Sequence, residues 1–396
     1  MRSPQYMVSA SMVQHQLEQI LEPVLGPWPS VRRCTVAAVI AVLAYAAARI
    51  TSLAAACARL RDAPGDDSVR NALCRQLPDL DQLDRRLRAA FTDHLPRAVR
   101  RCRRAIVAMD LVLIPYHGKP FAETAEVFRG QPKSGTTHFH AYASAYLVLK
   151  GRRFTLALIM VRHRTPMRDV VKELRRRVVA AGITPRLLLL DRGFENAGVI
   201  RYLQHARQPF IAPKAVHGRA PAKGPLTGLR AIRATAPTGW TTYRWQPKGE
   251  RRVSVDLCVV RRRRRDRRGG TAFLYACWGV RYTPNWVRQT YRRRFGIETS
   301  YRQMHQARIR TSTRRPVLRL LFVGVALLLR NLWAWLHWVA LARRRRGGRT
   351  VQLKRLPLRT MLDWLSHRAE DRFGICDWVS AEAQAVDSET KPHRTS

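Results

Sequence analysis

A mixed α/β protein is what this chain predicts: a covered sheet with helices on its faces, preceded by an all-helical region. Three observations carry that expectation. Residues 185–194 read Pro-Arg-Leu-Leu-Leu-Leu-Asp-Arg-Gly-Phe, and four consecutive leucines are the pattern of a strand buried on both faces. From 105 to 213 the apolar stretches fall in the order three strands, a helix, a strand, a helix, a strand. Before 105 the periodicity is helical throughout.

Taken in order, residues 12–25 predict a short helix broken near Pro23, and the alanine-rich stretch 35–50 a second one. Thr51-Ser52 caps a helix to Leu60, the breaker Asp-Ala-Pro-Gly-Asp-Asp follows, and Val69 to Leu77 is helical again. Two short helices across a glycine-containing turn fit a DNA-reading helix-turn-helix with Arg70, Asn71 and Arg75 exposed, and they fit a purely structural hairpin equally well. A further helix spans 79–104 and ends in a basic cluster.

Strands begin at Ala105-Ile-Val-Ala-Met109, which runs into Asp110. His138–Leu149 alternates as a second strand, and Phe154–Val161 is a third. Thr165-Pro166 opens a helix. The leucine strand ending at Asp191, a helix from Glu195 and the strand Pro209–Pro213 complete the set. Three hairpin-connected strands followed by βα units are the order of the ribonuclease H-like fold. Residues 214–283 then predict antiparallel strands in an inserted β subdomain, with a five-arginine run from Arg261 at a hairpin tip. Helices return at 285–306 and 317–341, and the chain beyond 380 is polar and aperiodic. The domain boundaries expected are therefore 1–104, 105–213, 214–283, 284–342 and a basic, then polar tail at 343–396.

Composition narrows the function. Lysine and arginine number 73 against 27 acidic residues, a formal charge of +46 in 396 residues. Such a surplus points to a polyanion, because clustered cations displace counterions from phosphates. A basic membrane-surface protein is the competing class. The stretch 317–342 is long and apolar, but Arg319, Arg330, Asn331 and His337 interrupt it, so a core helix is expected and no membrane partner. The seven cysteines form no C-x-x-C pair and no signal-peptide pattern opens the chain, which suits reduced thiols in a cytoplasmic protein.

Between 105 and 310 there are eleven carboxylates, and of these Asp110 and Asp191 interrupt apolar runs at strand positions. Taken alone, Asp191 also reads as a turn or N-cap residue. On a mixed sheet of this order the first and fourth strands are neighbours, which would bring the two together. The third candidate is Glu298. On a helix, Tyr291, Arg294, Glu298, Arg302 and His305 fall within an arc of roughly 80° at 100° per residue. One carboxylate among cations suits metal ions and a phosphate together, although a solvated ion-paired face has the same pattern.

With Tyr291, Arg294 and Glu298 in place, the chain resembles the DDE transposases of bacterial insertion sequences, in the group with the Tyr-x2-Arg-x3-Glu-x6-Lys signature. His305 stands where that group has lysine. The resemblance implies an acidic triad of Asp110, Asp191 and Glu298 holding two Mg2+ ions, with Mn2+ as a possible substitute. It also implies DNA contacts by Tyr291, Arg294, Arg302 and His305, and a homodimer pairing two element ends before joining them to target DNA. Trp240 and Trp245 are candidates for stacking on an extruded base, and core positions suit them as well. Three rivals remain: a ribonuclease H-like nuclease or resolvase without strand joining, a non-catalytic DNA-binding descendant of a transposase, and the basic membrane-surface protein.

Overall fold

A computed structural model of the chain describes residues 7–28, 34–100, 102, 105–118, 126–149, 152–222, 224–262, 271–345 and 348–377, without the side chains at 152, 271, 295–305, 344–345 and 348–349. Most of the arginine tip (263–270) and the polar end (378–396) lie outside the described residues.

Six helices come first: α1 (Ala10–Leu25), α2 (Val36–Arg49), α3 (Leu53–Arg59), α4 (Asp66–Gln76), α5 (Leu80–Asp93) and the single turn α6 (Arg97–Arg100). Ser9, Thr35, Ser52 and Asp79 cap four of them through side-chain oxygens, as their position before apolar runs requires. Pro23 does not break α1, which continues to Gly26 at φ 83°, a conformation that favours glycine.

The sheet follows with β1 (Ala105–Pro115), β2 (Phe128–Lys133), β3 (Thr136–Leu149) and β4 (Arg152–Val161). Then come α7 (Met167–Ala180), β5 (Pro185–Leu190), α8 (Ala197–His205), β6 (Phe210–Pro213) and α9 (Gly228–Thr235). β7 (Gly239–Trp245), β8 (Val253–Arg262) and β9 (Thr271–Trp278) complete it. The order is β2-β3-β1-β5-β6-β9-β8-β7, with β4 also pairing β3. β1 and β5 are parallel neighbours, Met109 opposite Leu190, as the element order led one to expect.

The strands of 214–283 do not build a sheet of their own. β9 pairs antiparallel with β6, Phe210 opposite Trp278, so β7–β9 prolong the central sheet. The physical reason is that β6 would otherwise present an unpaired, fully buried edge. Only a small second core, Leu229, Leu257, Val259 and Leu274 beside α9, belongs to this part alone.

The chain ends in α10 (Pro284–His305), α11 (Pro316–Val339), a short β10 (Arg343–Arg345) and β11 (Gly348–Thr350) hairpin, and α12 (Leu358–Phe373). α12 corrects the expectation of a tail. Its Leu358, Met361, Leu362, Leu365, Ala369 and Phe373 recur at helical spacing and are buried against α1 and α2. The alanine run of α2 has a matching use: small side chains let α12 approach closely.

α11 is long and apolar enough to cross a membrane, yet 94% of its apolar window is buried in the fold. Several of its polar groups find partners there. Asn331 accepts from the Thr155 backbone N–H at 2.8 Å and donates to the Thr155 carbonyl at 2.9 Å. His337 lies 2.8 Å from the Leu356 carbonyl, to which Trp333 also donates. α11 is thus the core helix expected, packed against β4 and α5.

Candidate active site

Because β1 and β5 run parallel in register, the step after Met109 and Leu190 sets Asp110 beside Asp191. The Asp191 N–H donates to the Met109 carbonyl at 3.1 Å, which carries the ladder past the end of β5. A 3-10 turn, Arg192–Phe194, then reverses the chain, and Phe194 N–H bonds back to the Asp191 carbonyl. The leucines before Asp191 make its backbone rigid: Leu187 to Leu190 are at most 3% exposed.

Arg294 of α10 reaches both carboxylates. Its Nη1 lies 3.4 Å from Asp110 Oδ1 and its Nη2 lies 3.0 Å from Asp191 Oδ1. The guanidinium is almost wholly buried and rests 5.3 Å from the centroid of the Tyr291 ring. Burial pushes the Asp110 carboxyl up to about 7, Asp191 adds to the rise, and Arg294 and the Leu111 N–H oppose it. On Arg294 the outcome is reversed: burial disfavours its charge, but Tyr291, Asp191 and Asp110 outweigh that and hold the proton more tightly than usual.

Tyr291, expected at a phosphate, is turned inward. It is 2% exposed, its hydroxyl donates to the Leu190 carbonyl at 3.2 Å, and its ring packs 5.2 Å from Tyr275. It therefore anchors α10 on the strand that presents Asp191. Arg153 of β4 assists by donating to the Arg293 carbonyl at 2.6 Å.

Glu298 lies one turn beyond Arg294 on α10; its side chain, with those of Arg302 and His305, lies outside the described residues. Arg70, Asn71 and Arg75 are all exposed on α4, which buries Val69 and Leu73. Trp240 is 38% exposed and donates to the Tyr282 carbonyl, whereas Trp245 stacks on Tyr243.

One contribution was not legible beforehand. Glu195, four residues after Asp191, forms a buried ion pair with Lys214, and its other oxygen accepts from the Ala215 N–H at 3.2 Å. The Lys214 ammonium sits 4.1 Å from the Trp245 ring centroid. This group ties the Asp191 turn to the start of the β7–β9 extension. The local signal was a lone carboxylate just after the turn, but its lysine partner is distant in sequence.

Among the described residues no three potential metal ligands cluster. The two carboxylates present nevertheless fit a hard cation: both offer oxygen, they converge on one positive group, and the buried one is disfavoured as an anion unless a cation faces it.

Fold and site together define a mixed α/β protein with a paired-carboxylate centre opposed by a single cation. The family model of the transposase DDE domain matches residues 104–332. The match spans more than half of the chain, which therefore belongs to that family and is an enzyme acting on DNA. Among solved structures, the chain is similar to the piggyBac transposase in its synaptic complex with hairpin DNA. That similarity has a TM-score of 0.51 at 12% identity over 94% of this chain and 82% of that one, and it concerns the fold. No curated protein sequence matches the chain significantly.

Proposed function

We propose that the chain is an insertion-sequence transposase that cleaves DNA at the element's ends and joins them to target DNA, working in a ribonuclease H-like domain. The observation that supports this best is the convergence of Asp110 and Asp191 on one cationic group at the ends of neighbouring strands. The core order β4-β3-β1-β5-β6 also agrees with a ribonuclease H-like sheet.

Asp110, Asp191 and Glu298 would hold divalent ions, Mg2+ being suited to an all-oxygen set and Mn2+ able to replace it. When bound, such ions lower the pKa of the attacking oxygen and stabilise the leaving one in an in-line displacement. The residues of the chain do the rest. The leucine strand and Tyr291 fix Asp191, the Leu111 N–H orients Asp110, and Glu195 with Lys214 holds the turn. Arg294 supplies counter-charge to the carboxylates in the metal-free chain and a phosphate contact in the DNA complex. Arg302 and His305, further along α10, extend that contact. Arg70, Asn71 and Arg75 on α4 are the reading surface for the element's ends, and two copies pair the two ends.

The test incubates the chain with Mg2+, labelled DNA from the repeats flanking its gene, and a target plasmid. Joined products are expected. Nicks without joining would make it a nuclease instead. Asp191→Asn should reduce cleavage by more than the roughly 10²–10³-fold that losing one oxyanion donor costs, with DNA affinity nearly unchanged. A variant that still cuts would sink the assignment.

A further inference from the structure

The segment that joins α10 to α11, residues 306–315, is not a slack loop. Ala307 and Ile309 are at most 3% exposed, and the Arg310 N–H donates to the Thr51 carbonyl at 2.9 Å, tying the segment to the junction of α2 and α3. Behind it lies a cavity of about 30 Å³. Arg308, Arg319, Tyr142 and Thr311 are the polar residues that line it; Ile114 and Phe322 are among its apolar lining.

Two cations thus face one small space. Arg319 is 8% exposed; its Nε donates to the Thr313 carbonyl at 2.5 Å and its guanidinium lies 6.0 Å from the Tyr116 ring centroid. Arg308 is half-buried. Among the described residues neither forms an ion pair, and no carboxylate contributes to the balance of either. Burial and neighbouring arginines push both pKa values down. Glu126 is felt at Tyr142. His140 adds no charge, because burial and Arg319 lower its pKa to about 4. One buried and one half-buried cation, neither in an ion pair among the described residues, favour an anion between them. The cavity admits a group the size of a water, which is the size of one phosphate oxygen.

Its place in the sheet says which anion. Asp110, Val112 and Ile114 point to one face of β1, and their register partners Ser144, Tyr142 and His140 share that face. Tyr142 lies opposite Val112, two residues past Asp110, and Ile114 is four past it, so the cavity wall sits roughly 7–13 Å along the strand. At about 3.4 Å per base pair that is roughly two to four base pairs of duplex.

We infer that Arg308, Arg319 and Tyr142 form a second anion site, which takes a non-bridging oxygen of a DNA backbone phosphate roughly two to four base pairs from the cleavage centre. The site rests on the transposase reading, and its role is positional: it fixes the duplex so that the scissile bond meets Asp110 and Asp191. Guanidinium groups suit it because they can donate two parallel hydrogen bonds to one phosphate.

The experiment measures binding of the full chain to a random-sequence duplex across a NaCl series, for wild type, Arg308→Gln, Arg319→Gln and Arg308→Lys. Each glutamine variant should weaken binding several-fold and lower the log–log salt slope by about 1, whereas Arg308→Lys keeps the slope. Thermal melting with and without inorganic phosphate forms the second arm: phosphate should raise the wild-type Tm but not that of the double glutamine variant. This arm needs no DNA and also registers any loss of folding. Unchanged slopes in both glutamine variants overturn the inference, even if phosphate stabilises the wild type, since the site would then take free phosphate only. Equal stabilisation of wild type and double variant overturns it as well. If the wild type bound no duplex, the transposase reading would fall separately, and the DNA-phosphate assignment with it; the phosphate arm would then report only whether the arginines form an anion site.

Discussion

Asp110 shows how a single buried residue can make stability depend on pH. Its carboxyl titrates near 7 in the fold against 3.8 as the ordinary value, because burial and Asp191 disfavour its charge more than Arg294 supports it. The folded state therefore binds this proton more tightly than the unfolded state does. The resulting stabilisation is fully present below about pH 4 and is lost as pH rises through about 7. Asp110→Asn removes that dependence. Without added metal, the variant should melt at a higher temperature than wild type at pH 8, and the difference should shrink or reverse at pH 5. Thermal scans in chelator at the two pH values check this; a wild type equally stable relative to the variant at both would exclude it. Both aspartates were legible in the sequence, since a carboxylate that ends a buried apolar run is costly unless a cation or hydrogen bonds hold it. The pairing of Glu195 with Lys214 was not, because neither residue interrupts a pattern.

Elements are joined here by a few polar clamps set in apolar contacts. Arg177 of α7 is the clearest. It donates to both oxygens of Asp84 on α5, at 2.8 and 2.6 Å, to Glu173 at 2.7 Å and to the Leu158 carbonyl of β4 at 2.7 Å. It thereby fastens the N-terminal helices to the sheet. Asn331 performs the same service between α11 and β4, where the β3–β4 register shifts and Leu156 is the extra residue. Asn331→Ala should deprive the buried Thr155 N–H and C=O of these partners and cost about 1–3 kcal/mol each. Urea unfolding measures it, and a loss below about 0.5 kcal/mol would show that water or relaxation replaces the bonds. Most helices and strands were legible from periodicity and caps. α12 was missed because the arginines around it drew the segment into the basic tail, although its apolar spacing was available.

At the scale of the whole molecule, the charge of +46 is carried by a fold with one main apolar core and a small second one beside α9. That core includes residues of α1, α2 and α5 together with α11, α12 and the central strands, so the N-terminal helices are integrated with the sheet. Binding to duplex DNA should be dominated by phosphate neutralisation. If it engages roughly 6–10 phosphates, affinity should fall by about 10³–10⁵ between 50 and 200 mM salt. Fluorescence anisotropy on a random-sequence duplex tests this, and a nearly flat salt dependence would mean that the surplus charge is not used on DNA.

The sequence by itself determined the local states and the chemistry: buried strands by their apolar runs, helices by their caps and period, a polyanion partner by charge, and two carboxylates by the runs they end. These follow from interactions within a few residues or from totals over the chain. The tertiary structure decided what depends on partners far apart in sequence. It set Arg294 between Asp110 and Asp191, turned Tyr291 inward, merged β7–β9 with the main sheet, and brought Arg308 and Arg319 to one cavity. Which strand edge pairs, and which cation is buried, is set by competition among surfaces that exist only once the chain has packed.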